Sequence, residues 1–307
     1  MFNMLDMVSY RSLRKTMECT GGVLSISFSP DGAMIAAGCD NGAIILWEVQ
    51  TGRRIRILRD GTAWVVFVRF TPDGTMIASG SEDGSIALWD ANSGVLLWKS
   101  ADNVIENGWA SMAISPDGNT LALGEWDKVV SLWSVSARIK VRTLIGHDDP
   151  VTSVAFSPDG NILGSGGRDG SLILWDVHSG LLLRHLVGHT GSIETIAFSP
   201  NGVELVTGSE DRSIRAWEIS TGRERDVYKG VRSVVSSLAF SPDGKTIASS
   251  MSNGTVLFWN AYTHTLAYTL TGHLMYVFSV TFSPDGKLLA SGSLDKTVRL
   301  WGSFERE

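Results

Sequence analysis

Cysteine is scarce: Cys19 and Cys39 are the whole complement of a 307-residue chain. Two thiols are too few for a disulfide framework and fit a reducing compartment. Basic charge is not in excess either, because the net charge is −6 and the pI near 5.5. Without a footprint that neutralises phosphates, neither nucleic acid nor an anionic membrane is expected as the primary partner. No stretch reaches the roughly 18 apolar residues of a membrane span. The opening residues MFNMLDMVSYRSLRKT carry Asp6 and polar side chains where a secretory signal would be apolar. A soluble, cytoplasmic protein is the expectation. Phosphate-cradling glycine loops before a helix are missing as well, since every glycine cluster falls at a hairpin-like turn.

What the chain does have is a repeat. The unit Gly146 to Asp176, GHDDPVTSVAFSPDGNILGSGGRDGSLILWD, ends on Trp175, and steps of 42 residues lead from there to Trp217, Trp259 and Trp301. Backward, the same count gives Trp133, then Trp89 after a step of 44, then Trp47. Seven copies fill the chain, so residues 1–307 are expected to form one domain. Inside each copy the apolar period is two, with four short strand candidates between turn residues. In the fourth copy these are Val151 to Phe156, Ile162 to Ser165, Leu172 to Trp175 and Leu181 to Leu186.

The turns are equally regular. Ser-Pro-Asp-Gly or a close variant recurs at Pro30, Pro72, Pro116, Pro158, Pro200, Pro242 and Pro284. Proline presets φ, Asp or Asn suits the next position, and glycine supplies the positive φ. The second turn is Asn41-Gly42, Asp83-Gly84, Asp169-Gly170 and Asn253-Gly254, strong hairpin signals. Asp127-Lys128, Asp211-Arg212 and Asp295-Lys296 lack that glycine and should fit less easily. Seven four-stranded antiparallel sheets arranged radially make an all-β, seven-bladed β-propeller. The last copy ends six residues after Trp301, too soon for a fourth strand, but residues 10–16 align with the outer strands of other copies. The N-terminus is expected to complete the last blade.

The recurring Gly-His pair, Ser-Pro-Asp-Gly turn, turn Asp and strand-ending Trp resemble the WD-repeat (Trp-Asp repeat) family over essentially the whole chain. That resemblance implies a hydrogen-bonded tetrad in each full blade. Carried onto this sequence, it gives His147, Ser165, Asp169 and Trp175 in blade four and His189, Thr207, Asp211 and Trp217 in blade five. In blade seven it gives His273, Ser291, Asp295 and Trp301. The other blades depart from it, with Cys19, Gly61, Ile105 and Val231 at the His position; Asn41 and Asn253 replace the Asp, and Ala37 and Leu123 the hydroxyl. A His-Ser-Asp set repeated in three blades argues for architecture, because a reaction centre is built once. The three histidines, one per blade, cannot converge on a metal. No catalytic residue, metal or cofactor is assigned.

Aligned copies also give columns. Three after the His position they read Gly22, Trp64, Gly108, Pro150, Ser192, Val234 and Tyr276; two further on, Leu24, Val66, Ala110, Thr152, Glu194, Ser236 and Phe278. Before the turn Asp stand Asp40, Glu82, Trp126, Arg168, Glu210, Ser252 and Leu294. Columns that accept charge are not core, and in the WD-repeat family the matching positions surround the central channel where partners dock. Trp64, Trp126, Tyr276, Phe278 and Leu294 are the apolar misfits and the expected partner-binding residues. They fall in blades seven, two and three, with Arg168, Glu194 and Glu210 assigned to the opposite arc, the long loop from Ser100 to Gly108 flanking the site, and Trp109 in the core. The function expected is a non-catalytic, monomeric platform for a protein or peptide with apolar anchors and a basic residue. The alternatives are a sensor or regulatory arm of a larger assembly, and an enzyme using Glu82, Glu194 and Glu210 at the channel mouth.

Overall fold

The computed structural model describes residues 10–100 and 111–302. Trp109, Ile105, Gly108, Ala110 and the loop beyond Ser100 lie outside the described residues. Twenty-eight strands, β1 to β28, form seven four-stranded antiparallel sheets among them, and no helix occurs in the described residues. The blades are β2–β5 (Val23–Phe28, Met34–Cys39, Ile44–Glu48, Arg54–Leu58) and β6–β9 (Val65–Phe70, Met76–Ser81, Ile86–Asp90, Leu96–Lys99). Next come β10–β13 (Ser111–Ile114, Thr120–Gly124, Val129–Ser134, Ile139–Ile145) and β14–β17 (Val151–Phe156, Ile162–Gly167, Ser171–Asp176, Leu182–Val187). Blades five and six are β18–β21 (Ile193–Phe198, Glu204–Ser209, Ile214–Glu218, Glu224–Val227) and β22–β25 (Val235–Phe240, Thr246–Met251, Val256–Asn260, Leu266–Leu270).

The seventh blade is made from both ends of the chain. β1 (Ser12–Glu18) pairs antiparallel with β28 (Thr297–Gly302), outside β27 (Leu288–Ser293) and β26 (Val277–Phe282). The first strand of each blade contacts its counterparts on either side, so β2, β6, β10, β14, β18, β22 and β26 ring a central channel.

Each blade buries its faces against its neighbours, which yields seven apolar clusters, one per blade interface. Leu46, Ile44 and Leu58 of blade one, for instance, meet Val65, Val68, Phe70 and Trp89 of blade two. Burial on this scale, at about 25 cal/mol per Å2 of apolar surface, is the dominant stabilising contribution.

The turns follow their chemistry. Asp31 accepts hydrogen bonds from the Ser29 hydroxyl and the Ala33 amide, while Gly32 takes φ +71°. At the second turn Lys128, Arg212 and Lys296 are forced to φ 71°, 65° and 67°, where the other blades place glycine. A Cβ in this region costs about 1–2 kcal/mol, so three turns do fit less easily.

Candidate functional site at the channel mouth

The tryptophans, hydroxyls and histidines of the tetrads are buried inside the blades. In blade five the Trp217 indole donates to Thr207 Oγ1 (2.8 Å), that hydroxyl lies 2.7 Å from His189 Nε2, and Nδ1 lies 2.9 Å from Asp211 Oδ2. Trp301, Ser291, His273 and Asp295 repeat the chain in blade seven at 2.8, 2.7 and 2.8 Å. One donor direction satisfies every group: indole N–H to hydroxyl, hydroxyl to Nε2, Nδ1–H to carboxylate. Such a chain needs a neutral imidazole, and burial pushes the pKa of both histidines down accordingly. Burial also pushes Asp211 up, but hydrogen bonds from Ser213, the Thr190 amide and His189 outweigh it and hold the carboxyl at about 2.

Blade four departs from the expectation. Trp175 and His147 share Ser165 at 2.7 and 2.6 Å, but His147 Nδ1 turns to Ser171 Oγ (3.2 Å), and the exposed Asp169 instead accepts the Ser171 amide at 2.9 Å. Ser165, Thr207 and Ser291 are fully buried, which makes these sets construction elements of the blades.

The blades without the full set use substitutes. Trp89 and Trp259 still donate to Ser79 and Ser249 at 2.9 and 2.8 Å. In blade three Leu123 offers no hydroxyl, and the Trp133 indole N–H is left buried without a partner. There Lys140 lies over the Trp133 ring at 5.9 Å and pairs with the buried Glu125 at 3.3 Å, while Ser131 donates to Glu125. In blade one Cys19 packs against the cluster that holds Cys39, and this neighbour together with burial pushes the Cys19 thiol up.

The channel mouth on the side of the incoming loops collects the misfits into separate groups. Tyr276 and Phe278 stack, with ring centroids 4.1 Å apart and planes 17° off parallel. Phe278 sits at a point where the β26–β27 ladder slips, and the same slip recurs at Leu24, Val66, Thr152, Glu194 and Ser236. A β-bulge re-aims the side chain it carries. Thr152 and Ser236 use that freedom to donate to the next blade, to Ile193 O at 2.7 Å and Val277 O at 2.6 Å. Leu294 leans across Gly22 of blade one, so closely that a Cβ there would lie 2.7 Å from it. Trp64 is 40% exposed.

Trp126 belongs with other residues. It lines a cavity of about 230 Å3 together with Phe67, Pro150, Arg168, Glu194 and Glu210. The Arg168 guanidinium lies 5.6 Å from the centre of its ring, a cation–π distance. The charged residues assigned to an opposite arc thus share a wall with Trp126, because blades four and five follow blade three directly around the ring. Burial pushes the Glu194 carboxyl up, as does the neighbouring Glu210 charge, while Arg168 opposes the rise. Tyr276 feels the same carboxylates, and burial with the Glu194 charge pushes its hydroxyl up to about 12. Arg168, Glu194 and Glu210 were legible in their columns, but only the geometry joins them to the aromatic group.

The sequence model described as the first beta-propeller of IFT122 matches residues 108–261, half of the chain. The WD domain, G-beta repeat model matches residues 11–48, 52–90 and 264–302. The chain belongs to the WD-repeat β-propeller family. Compared with the curated proteins, it has no match. WD-repeat propellers are generally non-catalytic and generally serve as platforms for protein interaction.

Proposed function

We propose that this propeller is a scaffold that takes a protein or peptide segment at the channel mouth, anchoring an apolar side chain and a Lys or Arg. The carrying observation is the cavity wall where Arg168 lies over Trp126 beside Glu194 and Glu210. The protein's own guanidinium already occupies the place that a partner's cation would take, between an aromatic face and two carboxylates. The Tyr276–Phe278 stack and the exposed Trp64 offer further aromatic anchors around the same rim. A second reading, a regulatory arm of a larger assembly, is favoured by the matched description, which speaks of a first propeller and so of a protein with more than one.

Panning a random peptide library on the propeller tests the first reading. Enriched sequences should pair a large apolar residue with Lys or Arg and lose binding on Trp126→Ala. Enrichment of acidic peptides, or binding indifferent to Trp126→Ala, Tyr276→Ala and Glu210→Lys alike, would overturn it.

A further inference from the structure

Deeper in the channel one side chain breaks its column. The next-to-last position of the inner strands reads Ser27, Arg69, Ala113, Ala155, Ala197, Ala239 and Thr281, so blade two places a guanidinium where four blades have a methyl group. Arg69 lies in the part of the channel toward the Ser-Pro-Asp-Gly turns, three residues along β6 from the bulge at Val66. Its Nη1 is spent on neutral acceptors: Ser25 Oγ at 3.0 Å, Ile26 O at 3.2 Å and Val68 O at 2.8 Å. Among the described residues no carboxylate pairs with it. Glu194 also lines this channel, but the cation that offsets its charge is Arg168 at the mouth. An arginine keeps its proton in such a setting, so the half-buried Arg69 presents a positive charge to the channel with no counter-charge paired to it.

The lining around it supplies more donors. Ser25, Ser111, Thr195, Ser237 and Ser279 each accept an amide N–H from the next blade: Val68 at 3.2 Å, Val154 at 2.9 Å, Leu238 at 3.0 Å, Val280 at 3.3 Å and Ile26 at 3.3 Å. A hydroxyl whose oxygen is engaged this way retains its own hydrogen for donation, and the space it borders is a channel cavity of about 240 Å3. A fixed cation with two free nitrogens, ringed by hydroxyl donors, is the donor set that oxyanions require.

We infer that the central channel holds a small oxyanion of the phosphate or sulfate class, bound by Arg69 and the channel hydroxyls. The group arrives either as a free ion or on a phosphorylated side chain inserted from a partner.

Thermal melting and calorimetry on the full chain test this, with inorganic phosphate titrated against chloride at matched ionic strength. Wild type should melt higher with phosphate, with the shift growing as the logarithm of its concentration. Arg69→Ala, which restores the residue of four other blades, should lose the response and weaken phosphate binding about tenfold or more. It should also melt no lower than wild type without phosphate, since it removes an unpaired charge; Arg69→Lys should keep part of the response. A phosphoserine peptide with its unphosphorylated control forms a separate arm: binding of the phosphopeptide alone, lost in Arg69→Ala, assigns the group to a partner chain. No response to either probe, or an equal response in wild type and Arg69→Ala, overturns the inference.

Discussion

Leu13 of the N-terminal strand lies opposite Trp301, the last repeat tryptophan, in the antiparallel ladder that closes the ring. Tyr10 just ahead of that strand anchors the closure. It is buried, stacks on Phe258 at 5.5 Å, meets Phe282 edge-on at 5.2 Å, and donates its hydroxyl to Gly286 O. Removing residues 1–17 should expose the edge of β28 and cause aggregation or a large loss of stability. Tyr10→Ala keeps the strand but removes its anchor and should cost about 3–5 kcal/mol, the range for large aromatic truncations. Denaturant melts of both variants check this; unchanged midpoints would remove the closure from the stability argument.

The staples differ in ways that mutation can read. Asp211 and Asp295 bond their histidines directly, whereas Asp169 does not. Asp211→Ala and Asp295→Ala should each cost about 1–3 kcal/mol, the range for a buried polar partner left unsatisfied. Asp169→Ala and Asn253→Ala should cost less, and Trp175→Ala about 3–5 kcal/mol through lost packing. Urea unfolding of the set decides it, and equal losses at Asp169 and Asp211 would contradict the geometry.

Acid should destabilise the fold before it reaches the carboxylates. Burial holds His147 at about 4, below the ordinary 6.5, and depresses His189 and His273 in the same direction. The unfolded chain therefore binds more protons than the folded one between those values. Stability present above pH 6.5 is lost as pH falls toward 4, by on the order of 3 kcal/mol for His147. Asp211 adds a further loss as pH drops from about 4 toward 2.

His264 has the opposite sign. It lies 3.7 Å from Glu204 and 3.1 Å from Asp226 of blade five, and these contacts, Glu204 first, raise its pKa against burial. Its contribution is full below about 6.5 and lost as pH rises through the raised value. Partial exposure keeps the latch to about 1 kcal/mol or less. Melting of His264→Gln should trail wild type at pH 6 and match it by pH 9; a gap that widens with pH would refute the assignment.

The blades, their turns and the borrowed strand were legible because a fixed period and obligatory turn residues leave one architecture. The columns of Tyr276 and Phe278 were legible as well, but their stacking was not, since Tyr276 lies just ahead of β26 and Phe278 at its bulge. What escaped is whatever no column encodes. Tyr10 opens the stretch aligned with the outer strands, whose residues in other copies, such as Leu181 to Leu183, are exposed, so that comparison gives no sign of its burial. The replacement of a blade-three staple by Glu125 and Lys140 joins residues of different columns. Trp126 and Arg168 belong to one column in adjacent blades, yet their contact depends on which way two long side chains turn at the rim, which no period encodes.

Partner binding should divide unequally among the rim residues. Trp126 and Tyr276 combine large apolar faces with nearby carboxylates, the setting in which a few residues dominate an interface. Alanine at either should cost on the order of 2 kcal/mol of binding. Trp64→Ala should cost as much only if the partner also spans blade two, while Phe278 and Leu294, half-buried against Tyr276 and Gly22, should act by supporting the surface. Because Glu194 and Glu210 flank the cavity, association should slow with salt. Arg168→Ala should tighten a basic partner, since it vacates the ring face and leaves the carboxylates to the ligand's cation. Melting temperatures of Trp64→Ala and Trp126→Ala should stay near wild type, separating binding from folding. Titration calorimetry on this set against a panned peptide gives the answer. Weaker binding in Arg168→Ala would mean that Arg168 contacts the ligand itself and that the partner is acidic.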